Sequence, residues 1–153
     1  MLDIGCGKGR HSIAASQLGA DVVAIDSNEE AMETGRSIAA DKGLTVVWKC
    51  ADLQTLPLPE ASFDVVMGFN YLDRQRMEHF KQAVRPGGHF LYEAFLEDQR
   101  EFGWGPSSDD HLLKRGELIA LVQPFEVLFA REVVEAVDSR SAAVSSVVAL
   151  RRE

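Results

Sequence analysis

The sequence predicts an α/β fold in which helices cover both faces of a mostly parallel β-sheet. Short apolar runs alternate with longer amphipathic segments, which is typical of strands joined by helical crossovers. Two long strand-like segments, 125–137 and 142–151, follow one another with only a short turn between them, and such strands are antiparallel. We therefore expect a three-layer αβα sandwich with an antiparallel edge, built as a single domain over residues 1–153.

Each predicted strand of the parallel region is a short run of apolar residues between turn-forming or amphipathic segments. The run DVVAI at 21–25 is apolar almost throughout, which is typical of a strand that is buried on both faces. The strands expected before the antiparallel pair are residues 1–4, 21–25, 44–49, 63–69 and 89–95.

The amphipathic segments predict the helices. The first covers 10–18, and the second begins after Ser27, which has capping-box spacing to Glu30 and is therefore the expected N-cap. The residues expected on the apolar face of the second helix are Ala31, Ile38 and Ala39.

A third helix is expected over 73–84, with Asp73 as its N-cap, and the residues at 86–88 predict a turn. The polar segment 97–111 predicts a long loop, and loops of this length in compact domains are often functional. Trp104 in this loop either covers a ligand or anchors the loop. A short helix is expected over 116–122.

Charge and composition favour a small-molecule partner. The formal net charge is -8, and no basic run exceeds two residues, whereas proteins that bind nucleic acid usually present a basic face. No apolar stretch approaches the length of a membrane span, and no secretory signal is visible at the first residues. Two cysteines do not form a disulfide framework, so we expect reduced thiols and a cytoplasmic location.

A glycine-rich turn follows the first strand and precedes the first helix, at Gly5, Gly7 and Gly9. In open α/β sheets, ligands bind at the carboxyl ends of the strands, and glycines allow the backbone to approach the ligand closely. The second strand ends at Asp26, whose carboxylate can accept both hydroxyl hydrogens of a ribose. Two ligands fit this pattern, a nicotinamide dinucleotide and S-adenosylmethionine.

The glycine spacing favours S-adenosylmethionine. The dinucleotide fingerprint is G-x-G-x-x-G, which would place its third glycine at position 10, where the chain has Arg10. The glycine is Gly9 instead, one position earlier than the close approach to a pyrophosphate requires.

Five segments in order resemble the motifs of the class I S-adenosylmethionine-dependent methyltransferases. The segment 2–9 (LDIGCGKG) resembles the first motif of that family, and the other matching segments are 23–26, 51–53, 63–66 and 85–88. The resemblance implies a Rossmann-like fold and S-adenosyl-L-methionine as the cofactor.

The same resemblance implies roles for individual residues. The glycine loop lies along the methionine part of the cofactor, Asp3 faces its ammonium group, and Asp26 binds the ribose hydroxyls. Asp52 accepts from the adenine amino group, and Leu53 contributes its backbone N–H and an apolar contact. The full set expected at the cofactor is Asp3, Gly5, Cys6, Gly7, Gly9, Asp26, Ser27, Asp52, Leu53 and Phe69. The structural alternatives are a tight turn for the glycines, a helix cap for Asp26 and a loop turn for Asp52.

No catalytic residue is assigned, and the candidates for the acceptor pocket are His11, Asn70 and Tyr71. His11 opens the first helix, where it is either a pocket residue or a partly exposed helix residue. The Asn-Pro-Pro-Tyr motif of amino methyltransferases is absent after the fourth strand, which weakens nucleic-acid methylation. The cysteines and histidines lack metal-ligand spacing, so we expect no metal, and we interpret Cys6 as a small residue in a tight loop.

A narrower resemblance to the tellurite-resistance methyltransferase-like branch, which is associated with small thiol or oxyanion-type substrates, rests on residues 9–11, 115–118, 125–128 and 143–145. The family usually carries helices before the glycine motif, where this chain begins, so we expect a truncated chain start, an open site or a homo-oligomer that covers the site. The alternative functions are a non-catalytic cofactor-binding module, a protein or nucleic-acid methyltransferase, and a nicotinamide-dependent oxidoreductase.

Overall fold

A computed structural model describes all residues from Met1 to Glu153 and contains one seven-stranded sheet with the strand order β3-β2-β1-β4-β5-β7-β6. The strands are β1 (Leu2–Ile4), β2 (Val22–Asp26), β3 (Val46–Cys50), β4 (Phe63–Phe69), β5 (Val84–Phe95), β6 (Glu126–Val137) and β7 (Arg140–Leu150). The helices are α1 (Arg10–Gln17), α2 (Glu29–Asp41), α3 (Met77–Ala83) and α4 (Glu117–Leu121).

The first five strands are parallel, and β7 is antiparallel to both of its neighbours, β5 and β6. This arrangement confirms the expected α/β sheet with an antiparallel edge. The N-terminal strand β1 lies between β2 and β4, so the strand order reverses at β1. Crevices for ligands form at such reversals, outside the carboxyl ends of the strands.

Helices lie on both faces of the sheet. Neighbouring residues of a strand point to opposite faces, and Val66 and Met67 of β4 accordingly belong to two different apolar clusters. Val66 packs in the main core with Phe80 of α3 and Leu118 of α4, while Met67 packs with Ala15 of α1. The predicted three-layer arrangement is therefore confirmed.

The start of α2 differs from the prediction. Asn28, rather than Ser27, is the N-cap, and its side-chain oxygen accepts a hydrogen bond of 3.0 Å from the N–H of Ala31. The Asp26 carboxylate accepts from the N–H of Asn28 at 2.8 Å and so holds the chain just before the helix. The predicted apolar face was also wrong in two of its three members, since Ile38 is exposed and Ala31 is only half-buried. The residues of α2 that are buried are Met32, Gly35 and Ala39.

Three further boundaries differ. The third helix begins at Met77 rather than at 73, because the Asp73 carboxylate accepts from the N–H groups of Gln75 and Arg76 and caps a separate turn. The predicted turn at 86–88 lies inside β5, where Gly87 has a φ of 75° and bonds to Arg151 across the sheet. The third strand starts at 46 rather than 44.

The long segment after β5 contains two short 3-10 helices, Glu97–Phe102 and Asp109–His111. Trp104 anchors this segment, because its indole N–H donates to the carbonyl of Ser141 at 2.9 Å and its ring contacts Phe95 edge-on. The alternative role, in which Trp104 covers a ligand, finds no support in these contacts.

Strand β6 forms a free edge of the sheet. Leu128, Phe129 and Val134 on this strand are each more than half exposed, and the pairing with β7 is interrupted by a bulge between Val127 and Phe129. Charged residues recur along the strand, and Arg131 forms an ion pair of 2.8 Å with Glu135.

The turn between β6 and β7 predicts a simple way to stabilise the fold. Asp138 and Ser139 both have positive φ, at 47° and 67°, as a type I′ hairpin turn requires. Because Asn-Gly adopts this turn with less strain, the double substitution Asp138→Asn and Ser139→Gly should raise the free energy of unfolding by about 1 kcal/mol.

Urea denaturation measures this effect. Ser141→Gly, which places a glycine inside β7 rather than in the turn, is the matched control and should be destabilising. A loss of stability in the turn variant would contradict the assignment of the turn.

Candidate functional site

The candidate site lies at the carboxyl ends of β1, β2, β3 and β4, around the loop of residues 5–9. Gly5, Gly7 and Gly9 all have positive φ, at 65°, 53° and 72°. The N–H of Gly9 donates to the carbonyl of Cys6 at 2.8 Å, and the N–H of Cys6 donates to the carbonyl of Ile25 at 3.1 Å. The loop is therefore a tight left-handed turn attached to the end of β2.

Close neighbours restrict two of the three glycines. A Cβ atom on Gly5 would lie 2.7 Å from a ring carbon of Tyr71, and a Cβ on Gly9 would overlap the indole of Trp48. Gly7 has open space beside it, so its own requirement is its backbone conformation. The loop thus leaves backbone atoms, rather than side chains, at the surface of the site.

Asp26 connects the loop to the second helix. One oxygen of its carboxylate accepts from the N–H of Gly7 at 2.7 Å, and the other accepts from the N–H of Asn28 at 2.8 Å. A carboxylate can accept about four hydrogen bonds, so two positions remain for a ligand. The contact with Asn28 shows that Asp26 also organises the start of α2, as the structural alternative suggested.

Asp3 is a buried carboxylate at the end of β1, with 2% of its surface exposed. The Ser12 hydroxyl donates to it at 2.5 Å. Burial raises the pKa of Asp3 from its ordinary value of 3.8 to about 6, and the bond from Ser12 opposes that shift. A buried carboxylic acid whose pKa lies this close to pH 7 is suited to pairing with a cationic ligand.

The end of β3 places Asp52 at the surface, where its carboxylate accepts from the N–H of Gln54 at 2.9 Å. This bond is the loop turn that we considered as the alternative role for Asp52. Leu53 is 4% exposed and belongs to the main core. Its side chain is therefore mainly structural, although the residue also borders a cleft.

Two clefts meet at Gly5. The first has a volume of about 320 Å³ and is lined by Asp3, Gly5, Cys6, Gly7, Lys8, Arg10, His11, Phe69 and Asn70. The second has a volume of about 300 Å³ and is lined by Gly5, Asp26, Ser27, Asp52, Leu53, Gln54 and Tyr71. Every residue that the sequence placed at the cofactor or in the acceptor pocket lines one of these clefts except Gly9, which is buried within the loop. His11 and Asn70 line the first cleft, whereas Tyr71, which was expected in the same pocket, lines the second.

His11 forms the wall of the first cleft together with Phe69. The two rings are stacked, with their centroids 3.8 Å apart and an angle of 21° between them. Burial lowers the pKa of His11, the neighbouring Arg10 lowers it further, and Glu93 opposes both. Burial is therefore the main cause of the lowered pKa, which favours the neutral imidazole.

Cys6 has an unreactive thiol in this site. Burial, with the nearby charges of Asp3 and Asp26, raises the pKa of its thiol to about 12. The protonated thiol is a poor nucleophile and a poor metal ligand. This agrees with its interpretation as a small residue in a tight loop.

Sequence reasoning gave no individual role to five residues at the site, one of which is Gln54 in the second cleft. Lys8 and Arg10 supply positive charge to the first cleft, and Glu93 lies beside Phe69 in the register of β4 and β5. Trp48 packs beneath the glycine loop. Lys8 and Arg10 adjoin the motif and could have been found there, but nothing in the spacing of Glu93 or Trp48 points to this site.

The comparisons with known proteins agree with this geometry. A family model described as a methyltransferase domain matches residues 1–88. A ubiquinone biosynthesis O-methyltransferase of Idiomarina loihiensis is 28% identical over 119 residues, covering 74% of this chain and 49% of that protein. A protein of the same name from Parvibaculum lavamentivorans is 33% identical over 92 residues, covering 57% of this chain and 36% of that protein. The chain thus spans half or less of the length of these two relatives.

Solved structures share the fold over the whole chain. TehB from Haemophilus influenzae has a TM-score of 0.81 at 20% identity, covering 99% of this chain and 57% of TehB. A SAM-dependent methyltransferase from Methanosarcina mazei has a TM-score of 0.79 at 20% identity, covering 99% of this chain and 91% of that one. Identities this low establish the fold alone, so the narrower resemblance to the tellurite-resistance branch stays a prediction.

The class of protein follows from the fold, the glycine loop and the family match: the chain belongs to the methyltransferase domain family. It is a class I, S-adenosylmethionine-dependent methyltransferase domain, and S-adenosylmethionine is its cofactor. No helix in the structure combines the length and the apolar character needed to cross a membrane.

Asp3 predicts a dependence of stability on pH. Its pKa is higher in the folded state than in the unfolded chain, so the folded state binds more protons between pH 3.8 and about 6. The contribution of Asp3 to the free energy of unfolding therefore falls as the pH rises through this window. Above the window the loss of stability is complete. Asp3→Asn should raise the free energy of unfolding at pH 7.5 by about 2 kcal/mol.

Urea denaturation at pH 4, 5, 6 and 7.5 measures the free energy of unfolding of this variant and of the wild type. The difference between the two free energies should grow as the pH rises to about 6 and then level off. Asp21→Asn, at the exposed opposite end of the neighbouring strand, should change stability little. A less stable Asp3→Asn protein at pH 7.5 would contradict the assignment.

Proposed function

We propose that this domain transfers a methyl group from S-adenosylmethionine to a small-molecule acceptor, with the donor lying across the two clefts that meet at Gly5. The observation that carries this proposal is the distribution of charge between the clefts. The second cleft offers the carboxylates of Asp26 and Asp52, whereas the first combines the buried acid Asp3 with the cations Lys8 and Arg10. The donor matches this distribution of charge, because it has a nucleoside at one end and a zwitterionic amino acid at the other.

The adenosine end occupies the second cleft. Each oxygen of Asp26 keeps one free acceptor position, which suits the two ribose hydroxyls. Asp52 stands at the outer rim, where it accepts from the adenine amino group. Gly5 allows the backbone to approach the sugar between them, with the Tyr71 ring packed behind the glycine.

The amino-acid end occupies the first cleft. The ammonium group lies near Asp3 and holds it in its charged form. The carboxylate lies near Lys8 and Arg10 at the start of α1. That helix has no acidic residue in its first turn and no side-chain cap. The Ser12 N–H bonds to Asp3, so the N–H groups of Arg10 and His11 are the ones available to an anion.

The acceptor approaches from the side of His11, Phe69 and Asn70. We propose a hydroxyl acceptor, because the relatives named above are O-methyltransferases and because the lowered pKa of His11 favours the neutral imidazole, which can take a proton. When bound, the donor would supply a methyl carbon that bonds to the acceptor oxygen as its bond to sulfur breaks and leaves the electron pair on sulfur. His11 would take the hydroxyl proton and pass it to solvent.

The thiol or oxyanion acceptors suggested by the narrower resemblance need less help from a base, because such nucleophiles react in the ionised form. The same pocket serves them without His11. The role of His11 therefore distinguishes the two classes of acceptor.

Further proposals concern the whole protein. We propose that residues 1–153 act as one cofactor-binding unit, and the two free thiols favour a reducing compartment such as the cytoplasm. We also propose a homo-oligomer, which analytical ultracentrifugation tests.

The donor site is tested by calorimetric titration with S-adenosylhomocysteine, with NADH as the control ligand. S-adenosylhomocysteine should bind saturably and NADH should not. Asp26→Ala should weaken the binding at least tenfold, because it removes the acceptor for the ribose hydroxyls and a bond that holds Gly7.

The matched control is Asp21→Ala, at the opposite end of β2, which should bind as the wild type does. Unchanged affinity in Asp26→Ala would refute the assignment of the ribose site. Binding of NADH in place of S-adenosylhomocysteine would favour the oxidoreductase alternative.

The acceptor class is tested by the rate of S-adenosylhomocysteine formation with catechol and with thiophenol. His11→Phe keeps an aromatic ring beside Phe69 but removes the proton acceptor. It should slow methylation of catechol about a hundredfold, as loss of a general base does, and leave thiophenol methylation and S-adenosylhomocysteine affinity unchanged.

The exposed His79 on α3 provides the control His79→Phe, which should have no effect. Full catechol activity in His11→Phe would remove His11 from the reaction. A wild type that binds the donor product yet methylates neither compound would favour the non-catalytic binding module.

A further inference from the structure

Trp48 packs its indole between two glycines that belong to different elements. It lies in β3, in register with Ala24 of β2, and its side chain is half-buried. A Cβ atom on Gly9 would overlap the ring, and a Cβ on Gly35 of α2 would lie 2.6 Å from ring carbon Cη2. Because real Cβ atoms do not approach other heavy atoms this closely, the ring fits only where both side chains are absent.

The same contact brings α2 against the glycine loop. A Cβ on Gly35 would also lie 2.5 Å from the carbonyl oxygen of Lys8, which is a backbone atom of the loop. Gly35 has an ordinary helical conformation, so its need for glycine comes from this packing rather than from φ. Helix α2 and the Trp48 ring together form the support on which Lys8 and Gly9 rest.

Hydrogen bonds fix the rest of the loop but leave this part to packing. The Asp26 carboxylate holds the N–H of Gly7, and Cys6 is attached to the end of β2. The N–H of Gly9 bonds within the loop, to the carbonyl of Cys6, and its carbonyl accepts from the N–H of Ile13 in α1. Neither Lys8 nor Gly9 bonds to the sheet itself, so the indole beneath them sets their position relative to the sheet together with α1.

We propose that Trp48 is a positioning residue for the donor, which holds the first cleft in the shape that receives the amino-acid end. The ring supports Lys8 and Gly9, which adjoin the first cleft and the start of α1. It does not line the second cleft, which Asp26, Asp52 and Tyr71 form. This inference rests on the proposed placement of the donor across the two clefts.

The two ends of the donor supply the test. S-adenosylhomocysteine has both ends, whereas 5′-methylthioadenosine keeps the nucleoside and the sulfur but lacks the amino acid. Calorimetry should show that Trp48→Ala weakens S-adenosylhomocysteine binding at least tenfold and changes 5′-methylthioadenosine binding less than twofold. Trp48→Phe, which keeps a flat ring in the same place, should recover most of the lost affinity.

A merely structural role for Trp48 would give a different result, with both ligands weakened in parallel or neither affected, and either outcome would overturn the proposal. Trp104→Phe, in the distant loop after β5, is the control and should leave both affinities unchanged. Failure of the wild type to bind S-adenosylhomocysteine would instead remove the donor site itself, which separates that failure from this one.

Gly35→Ala gives an independent test should Trp48→Ala fail to fold. Alanine favours a helix more than glycine does, so α2 is preserved while the new methyl group displaces the loop and the ring. This variant should lose S-adenosylhomocysteine affinity selectively, as Trp48→Ala does. Equal affinities of Gly35→Ala and the wild type for S-adenosylhomocysteine would overturn the proposal.

Discussion

The close packing of a glycine loop between two aromatic rings is the constraint on which the site depends. Tyr71 lies against Gly5 on one side, and Trp48 lies against Gly9 on the other. Only backbone atoms fit between these rings, so the loop adopts the left-handed conformation that glycine tolerates. The carboxylate of Asp26 then fixes the middle of the loop through Gly7, and the start of α2 through Asn28.

This constraint also explains why the electrostatics of the site are concentrated in so few groups. The loop itself contributes no acidic side chain, so the negative charges come from the strand ends around it, while Lys8 and Arg10 supply the positive ones. Asp3 is buried and destabilises the fold when it is ionised, while Asp26 is stabilised by two backbone N–H groups. Asp26 therefore stabilises the fold, whereas ionised Asp3 destabilises it. Such opposing contributions are common where function and stability compete.

Much of this arrangement could be predicted from the sequence, because the decisive features are local. The G-x-G-x-G spacing, the apolar run ending at Asp26 and the strand that ends at Phe69 all lie within short segments with clear periodicity. The antiparallel pair followed from the short connection between β6 and β7. The family match covers the same N-terminal region that carries these motifs.

The predictions from sequence failed where two local signals competed, or where a feature depends on a contact between residues that are distant in sequence. Ser27 and Asn28 are both good caps, and the bond from Asn28 N–H to Asp26 decides in favour of Asn28. Pro-Gly-Gly at 86–88 is a turn signal, yet pairing with Arg151 keeps it in a strand. The contact of Trp48 with Gly9 spans 39 positions, and no periodicity within either segment reports it.

The position of β7 has a consequence for how the chain folds during synthesis. The strand β6 leaves the ribosome before β7, yet β6 joins the sheet only through β7, which lies between β5 and β6. Until β7 emerges, β5 has an unpaired edge, and the exposed apolar residues of β6 have no partner. The bulge and the charges of β6 are then the features that discourage pairing with another nascent chain.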